Sequence, residues 1–173
     1  MSRLIVLLCA IFAAAALRLV PHPPNFSPID AMALFSGAYL GRRSLAFVAP
    51  LGALLLSDLV LGFYPGMEFQ YASVALIILL GSLALARKAP LRVGGAAVAS
   101  SVLFFAITNF GTWLTSGMYA HSLTGIEACY VAAIPFFQNT LAGDLFYAAL
   151  LFGGFALAEH WLPRIREAQP RSA

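Results

Sequence analysis

The chain has 173 residues, of which 61% are hydrophobic and only 10% are charged, and its mean hydropathy is +0.88. Soluble domains carry roughly a quarter charged residues, so this composition excludes a soluble enzyme or a soluble binding module. The pI near 9.1 does not indicate nucleic-acid binding, because the basic residues lie in small groups beside apolar segments, as they do in membrane proteins.

The first predicted transmembrane helix covers residues 4–20 and ends at the proline-rich turn 21–24. Arg3 in front of it and the alanine run 13–16 near its end are also typical of a cleaved signal peptide. We interpret the segment as a retained span, with cleavage as the alternative.

The second predicted helix covers residues 28–41 and begins with a capping box. Ser27 takes the N-cap position, Pro28 the first helical position and Asp30 the third, where a carboxylate caps the backbone. At about 1.5 Å per residue this helix covers only ~21 Å, which is short for a bilayer core.

Four longer spans are predicted at residues 44–63, 69–86, 93–114 and 139–161. The stretch between the last two is mixed in polarity and is interrupted by Pro135, so we predict a short interfacial helix before the last span. The sequence therefore predicts an all-α fold: a single integral membrane domain with six transmembrane helices.

The distribution of basic residues supports the crossing of the short second helix. With the N-terminus in the cytoplasm and six crossings, nine of the ten Lys and Arg residues lie on the cytoplasmic side, as the positive-inside rule requires. These nine are Arg3, Arg42, Arg43, Arg87, Lys88, Arg92, Arg164, Arg166 and Arg171. The sequence predicts a multi-pass protein of a bacterial cytoplasmic (inner) membrane with both termini in the cytoplasm.

Polar residues inside the predicted spans gather near the outer ends of those spans. A charge there costs ~3 kcal/mol or more unless it is paired or faces a watery cavity. We therefore predict a solute-binding pocket open to the outside, lined by Arg18, Asn25, Asp58, Asn109, Trp113, Gln138, Asn139 and Asp144. A structural ion pair of Arg18 with Asp58 and Asp144, and an interfacial aromatic belt that includes Trp113, remain the alternatives.

Signatures of catalysis and of metal binding are absent from the sequence. It contains no HExxH, GxSxG or Walker glycine loop, so we predict neither an enzyme nor any catalytic residue. Cys9 and Cys129 lie in different apolar segments without metal-binding spacing, and we predict no metal site and no cofactor.

The hydropathy and six-helix layout resemble those of the substrate-binding S subunits of energy-coupling-factor (ECF) vitamin importers, especially the small solitary S proteins such as the cobalamin type. The segments 21–26, 57–59, 108–113 and 136–144 also resemble an uncharacterised family of small bacterial membrane proteins. The resemblance implies a six-helix bundle that captures a vitamin-like solute from the extracytoplasmic side and works with an energising ATPase and transmembrane module.

S subunits commonly dock on that module through an Ala-xxx-Ala face of their first helix, and Ala10 and Ala14 match this spacing. The cobalamin type carries a cysteine near its pocket, and this chain has none between its third and fourth spans, which argues against cobalamin as the solute.

The sequence thus predicts the solute-binding subunit of a micronutrient importer, with a small organic solute and the lipid bilayer as partners and without nucleic acid. Two other classes remain open. A scaffolding protein of a cell-envelope complex would have its polar residues paired with one another. A small ion-coupled carrier would use Asp58 or Asp144 to take up a proton or a cation.

Overall fold

The structure is a computed structural model and describes residues 2–41 and 43–166. Within these ranges the secondary structure is entirely helical, which confirms the predicted all-α fold. The helices are α1 (Arg3–Leu17), α2 (Ile29–Leu40), α3 (Ser44–Leu61), α4 (Met67–Ala84), α5 (Pro90–Thr115) and α6 (Leu123–Trp161), followed by a 3₁₀ turn (Pro163–Ile165). By length and composition, α3 to α6 can each cross a membrane, whereas α1 and α2 are shorter apolar helices. Arg42 and Arg171, both assigned above to the cytoplasmic side, lie outside the described residues.

Helix α6 differs most from the sequence-based expectation. It is helical for 39 residues, with a π-helical turn at Ala149–Gly153, so the predicted separation into an interfacial helix and a last span is wrong. Pro135 lies inside the helix and removes only the one hydrogen bond that its missing N–H would have donated. Contacts with α5 hold the segment before Pro135: the Tyr130 hydroxyl donates to the Ala106 carbonyl at 2.5 Å, and the Cys129 thiol donates to the Asn109 carbonyl at 3.4 Å.

Helix α2 begins one residue later than the predicted capping box requires. Pro28 occupies the N-cap position, and the Ile29 amide donates to the Ser27 hydroxyl at 3.4 Å. Asp30 is therefore the second helical residue, and its side chain is buried, with an exposed fraction of 3%. The predicted capping role of Asp30 is wrong, because its carboxylate faces the interior of the bundle.

The short helix α2 is the centre of the molecule. Ten of its twelve residues are buried, and it contacts each of the other five helices. A helix that is surrounded by protein satisfies its ends with protein groups and does not need to match the thickness of the lipid. This position explains why α2 spans only ~18 Å at about 1.5 Å per residue.

A hydroxyl of α2 compensates for a proline in α3. Pro50 cannot donate the backbone hydrogen bond that the Ala46 carbonyl would otherwise accept. The Ser36 hydroxyl donates to this carbonyl instead, at 2.8 Å, and both residues are fully buried. The kink-prone point of α3 is thus joined to the central helix.

Two glycines allow α2 and α4 to pack with their backbones in contact. A Cβ atom at Gly37 would collide with the carbonyl oxygen of Ile78, and one at Gly81 would collide with the carbonyl oxygen of Leu34. Because each glycine faces the backbone of the other helix, this close approach requires glycine at both positions.

Basic residues other than Arg18 mark one end of the bundle, which we name the basic end. Arg3 forms an ion pair with Glu159 and donates to the Ile165 carbonyl at 2.8 Å. Lys88 lies 4.8 Å from the centroid of the Tyr39 ring. These contacts bring together the start of α1, the end of α2, the α4–α5 turn and the end of α6. The start of α1 and the end of α6 therefore lie on the same side of the bundle. We name the opposite end the polar end.

Candidate functional site

A cavity of about 380 Å³, the inner cavity, lies between the helices toward the polar end. Its walls come from the end of α1, the α1–α2 loop, the start of α2, the α3–α4 turn and the facing sides of α4, α5 and α6. The lining residues are Arg18, His22, Asn25, Ser27, Ile29, Asp30, Leu61, Tyr64, Gln70, Phe104, Thr140 and Asp144.

A second cavity of about 420 Å³, the outer cavity, adjoins the first. Both are lined by Asn25, Tyr64, Gln70, Phe104 and Thr140, so the two cavities are adjacent. The outer cavity continues to residues of the α3–α4 and α5–α6 turns, among them Gly66, Ser116 and Met118. The combined space therefore reaches the surface at the polar end.

Three of the predicted site residues lie at similar heights above the basic end. Arg18, Asp58 and Asp144 are 14 or 15 residues from Arg3, Ser44 and Glu159, the positions that mark this end in their helices, which corresponds to ~21–22 Å along a helix. Asn109 is eight residues beyond Ser101, the partner of Asp144, and so lies ~12 Å further toward the polar end. The predicted single polar layer is thus two layers, because the α5–α6 hairpin extends past the other helices.

Arg18 and Asp58 form the ionic centre of one wall. Arg18 forms an ion pair with Oδ1 of Asp58 and also donates to the Ser57 hydroxyl at 2.7 Å. The Tyr71 hydroxyl donates to Oδ2 of Asp58 at 2.8 Å. Both carboxylate oxygens of Asp58 are therefore satisfied, and the network joins α1, α3 and α4. Of the predicted structural ion pair, only the Asp58 half is present.

The opposite wall carries two acidic side chains without a basic partner among the described residues. Asp144 is 2% exposed, and its Oδ2 accepts a hydrogen bond from the Ser101 hydroxyl at 2.5 Å. Asp30 interacts electrostatically with Asp144, and its Oδ1 is buried and accepts no hydrogen bond from any described residue. No group of three or more His, Cys, Asp or Glu side chains suitable for a metal ion occurs in the described part of the chain.

The α1–α2 loop covers the inner cavity and is attached to α6. Asn139 donates to the Pro24 carbonyl at 3.0 Å, and Phe26 packs against the rings of Phe146 and Tyr147 at centroid distances of 5.8 and 5.6 Å. A Cβ at Gly143 would lie 3.2 Å from the Phe26 Cα, so the loop backbone rests directly on α6. This attachment places Asn25 at the junction of the two cavities.

The α3–α4 turn supplies a polar pair between the cavities. The Tyr64 hydroxyl donates to the side-chain oxygen of Gln70. Burial, followed by the negative charge of Asp58, raises the pKa of Tyr64, so its hydroxyl stays protonated and remains a donor. Gln70 is itself only 6% exposed.

The predicted site residues thus fall into four groups. Arg18, Asn25 and Asp144 line the inner cavity, Asn109 lines the outer cavity, and Asp58 lies behind Arg18. Asn139 instead fastens the α1–α2 loop, Trp113 donates to the Ala120 carbonyl at 2.9 Å in the α5–α6 turn, and Gln138 is exposed on α6. These last three do not line either cavity.

The predicted docking face on α1 points inward. Ala14 is 3% exposed and belongs to the hydrophobic core, and Ala10 is half-buried against that core. A partner helix cannot reach Ala14, because α1 uses this side to pack within its own chain. The Ala10-xxx-Ala14 strip therefore does not form a free surface.

The sequence analysis did not include several cavity residues. Asp30 was assigned to helix capping, and Tyr64 and Thr140 were not singled out. A polar residue at a helix start and a hydroxyl on an apolar helix both have ordinary local explanations, so only the three-dimensional packing identifies them. The one available signal was Asp30 itself, an acidic residue next to the apolar run 31–35.

Comparison with known proteins places the chain in a family. Residues 1–165 match the model of DUF6580, a family of unknown function, and the chain belongs to this family. No curated protein and no solved structure matches the chain.

Proposed function

We propose that this DUF6580 protein is a membrane-embedded solute-binding protein, which captures a small organic micronutrient from the extracytoplasmic side for import. The observation that supports this function best is the combined space of the two adjacent cavities, which is lined by polar side chains such as Arg18, Asn25 and Asn109 together with apolar surface. It reaches the surface at the polar end, while buried apolar residues such as Leu34, Phe35 and Ile78 fill the bundle between α2 and its neighbours. A cavity open on one side suits capture.

The size and lining of the cavities fit a small organic molecule. Each volume lies within the ~300–1,000 Å³ range of small-molecule sites. Ile29, Leu61 and Phe104 offer apolar walls to a carbon skeleton, and Asn25 and Thr140 offer hydrogen bonds. A bare ion would leave most of this space unused.

In this proposal all six helices cross the bacterial inner membrane, with the basic end in the cytoplasm. The two short helices are compatible with this arrangement, because α2 is enclosed by protein and α1 is extended by the turn at residues 18–20. The grouping of basic side chains at one end agrees with the positive-inside rule. An energising module remains the proposed partner, and its docking surface lies elsewhere than at Ala14.

A scaffolding protein would have its polar groups paired with one another. The Arg18–Asp58 pair meets this description, but Asp30 does not, since its buried Oδ1 has no donor among the described residues. A scaffolding protein also does not require the two adjacent cavities. These two features favour the solute-binding function.

The test is ligand binding by the purified full-length protein in detergent. Native mass spectrometry is expected to reveal a small organic molecule that co-purifies, and a panel of vitamins and vitamin precursors is expected to include compounds that raise the Tm. A chain that carries no such molecule and responds to no compound would contradict the proposal.

Two neighbouring alanines of α6 provide a matched pair of variants. Ala133 lines the outer cavity, whereas Ala132 is exposed on the outside of the bundle. Ala133→Trp is expected to fill the cavity and abolish the ligand-dependent rise in Tm, and Ala132→Trp is expected to preserve it. Equal ligand responses in the two variants would show that the outer cavity is not part of the binding path.

A further inference from the structure

Asp30 and Asp144 have no basic partner among the described residues, in a site where charges are costly. Both line the inner cavity, and their exposed fractions are 3% and 2%. Ser101 donates one hydrogen bond to Asp144, while Oδ1 of Asp30 accepts none from the described residues. Buried carboxylates normally have a cationic partner or several hydrogen bonds, whereas among the described residues the Ser101 hydroxyl is the one donor to this pair.

The charged groups facing the inner cavity leave a negative excess on the α2–α6 side. Arg18 from α1 is the lining guanidinium, and Asp58 already neutralises it. His22 lies in the α1–α2 loop, where its Nδ1 is 3.0 Å from the Pro23 carbonyl, and Tyr64 from the α3–α4 turn donates to Gln70. The lining groups contributed by α4 and α5, Gln70 and Phe104, carry no charge. A ligand that matches this cavity therefore brings a positive charge.

We propose that Asp30 and Asp144 together bind a cationic nitrogen of the captured solute, which is thus an organic cation rather than an anionic or neutral compound. This inference rests on the proposed solute-binding function. The nitrogen lies between the two carboxylates, and the rest of the molecule extends along Ile29, Leu61 and Phe104 toward the outer cavity. The size of the combined space favours an organic cation over a metal ion or sodium.

The test compares three classes of probe in a thermal-shift assay on the purified full-length protein. The cations are choline, thiamine and pyridoxamine, the neutral compounds are 3,3-dimethylbutan-1-ol and pyridoxine, and the anions are pantothenate and nicotinate. Sodium chloride and potassium chloride at equal ionic strength form a separate arm. We expect one or more of the cations to raise the Tm, and the neutral and anionic compounds to leave it unchanged.

The variants Asp30→Asn and Asp144→Asn remove charge but keep shape. We expect each to weaken binding of the effective cation at least tenfold and to leave the Tm of the ligand-free protein unchanged or higher, because two like charges no longer face each other. Asp58→Asn is the contrasting control. It breaks the ion pair with Arg18 and is therefore expected to lower the Tm of the ligand-free protein.

Each alternative result has a defined meaning. Stabilisation by neutral or anionic compounds alone would overturn the cation proposal and support the solute-binding function. Stabilisation by sodium alone, lost in Asp30→Asn, would replace the organic cation with an inorganic one and favour an ion-coupled carrier. A lower ligand-free Tm in Asp30→Asn and Asp144→Asn would show a structural role and overturn the proposal. No response to any probe would count against both proposals.

Discussion

The Ser36 hydroxyl of α2 provides a hydrogen bond that α3 cannot make within itself. This hydroxyl donates a hydrogen bond to the Ala46 carbonyl, which has no donor within its own helix because Pro50 lacks an N–H. Buried serines elsewhere in the chain do something different: the Ser73 hydroxyl donates to the Gln70 carbonyl of its own helix at 2.7 Å. The same residue type therefore donates to a neighbouring helix at one position and to its own helix at the other.

Ser36→Ala is expected to destabilise the protein by about 1–3 kcal/mol, the cost of a buried acceptor left without a donor. In a Pro50→Ala background the same change is expected to cost about 1 kcal/mol less, because the backbone amide that replaces the proline nitrogen can donate to the Ala46 carbonyl. Unfolding titrations with SDS in mixed micelles measure both values. Ser73→Ala is the control and should cost less than about 1 kcal/mol; additive effects of Ser36→Ala and Pro50→Ala would contradict the compensation.

Asp58 and Asp144 illustrate a second contrast between identical residues. Asp58 has a guanidinium and a tyrosine hydroxyl as donors, whereas Asp144 has a single serine hydroxyl. These donors come from three different helices. In the sequence, Asp58 and Asp144 are both isolated aspartates in apolar segments, so the sequence alone does not distinguish their roles. The structure separates the aspartate that holds helices together from the one that faces the cavity.

The α2–α4 pair is the closest helix contact that the glycines of this chain permit. Gly37→Ala is expected to destabilise the protein by more than about 2 kcal/mol, because the added methyl group meets the backbone of Ile78 and neither helix can move without losing its other contacts. Gly52→Ala is the matched control, since a Cβ there meets nothing within 4 Å. Because alanine favours helix over glycine, Gly52→Ala is expected to raise stability by up to about 1 kcal/mol.

The measurement for this pair is thermal unfolding in detergent followed by size-exclusion chromatography of the remaining folded fraction. Similar midpoints for Gly37→Ala and Gly52→Ala would show that α2 and α4 are further apart than described.

Helix positions followed well from the sequence because a long apolar run has few other interpretations. The first five predicted spans each overlap a helix with ends that differ by at most three residues. The helix break predicted at Pro135 is absent, because proline ends helices in water but is tolerated where neighbouring helices support the chain. The sequence around Asp30 is compatible with both a capping role and a cavity-lining role, so its burial could not be predicted.

The candidate site was predictable only in part. Arg18, Asn25 and Asp144 are polar residues near apolar runs and were found for that reason. Gln138 and Asn139 are equally polar and equally close to the site in sequence, yet Gln138 is exposed and Asn139 holds the loop. One residue of offset on a helix turns a side chain by about 100°, and the sequence does not reveal which direction faces the cavity.

The two ends of the molecule differ in a way that only the complete bundle reveals. At the basic end the helix termini are held by Arg3, Glu159 and the aromatic ring of Tyr39. At the polar end the α5–α6 hairpin extends beyond the remaining helices, since α6 alone is ~58 Å long at about 1.5 Å per residue and a bilayer core is only ~30 Å thick. The outer cavity lies beside this hairpin, at the height where a solute would arrive from water.

In the proposed function, the orientation of these ends in the membrane would decide from which side the solute is captured, and one position near each end of α5 tests it. Leu91 at the start of α5 is 90% exposed, and Met118 just after its end is 69% exposed. In a background with Cys9→Ala and Cys129→Ala, Met118→Cys is expected to react with a membrane-impermeant maleimide in spheroplasts, and Leu91→Cys only after the membrane is disrupted. Arg43→Cys should behave as Leu91→Cys does if α2 crosses the bilayer. Labelling of Leu91→Cys but not of Met118→Cys in spheroplasts would place the cavities on the cytoplasmic side, and capture from outside would then be wrong.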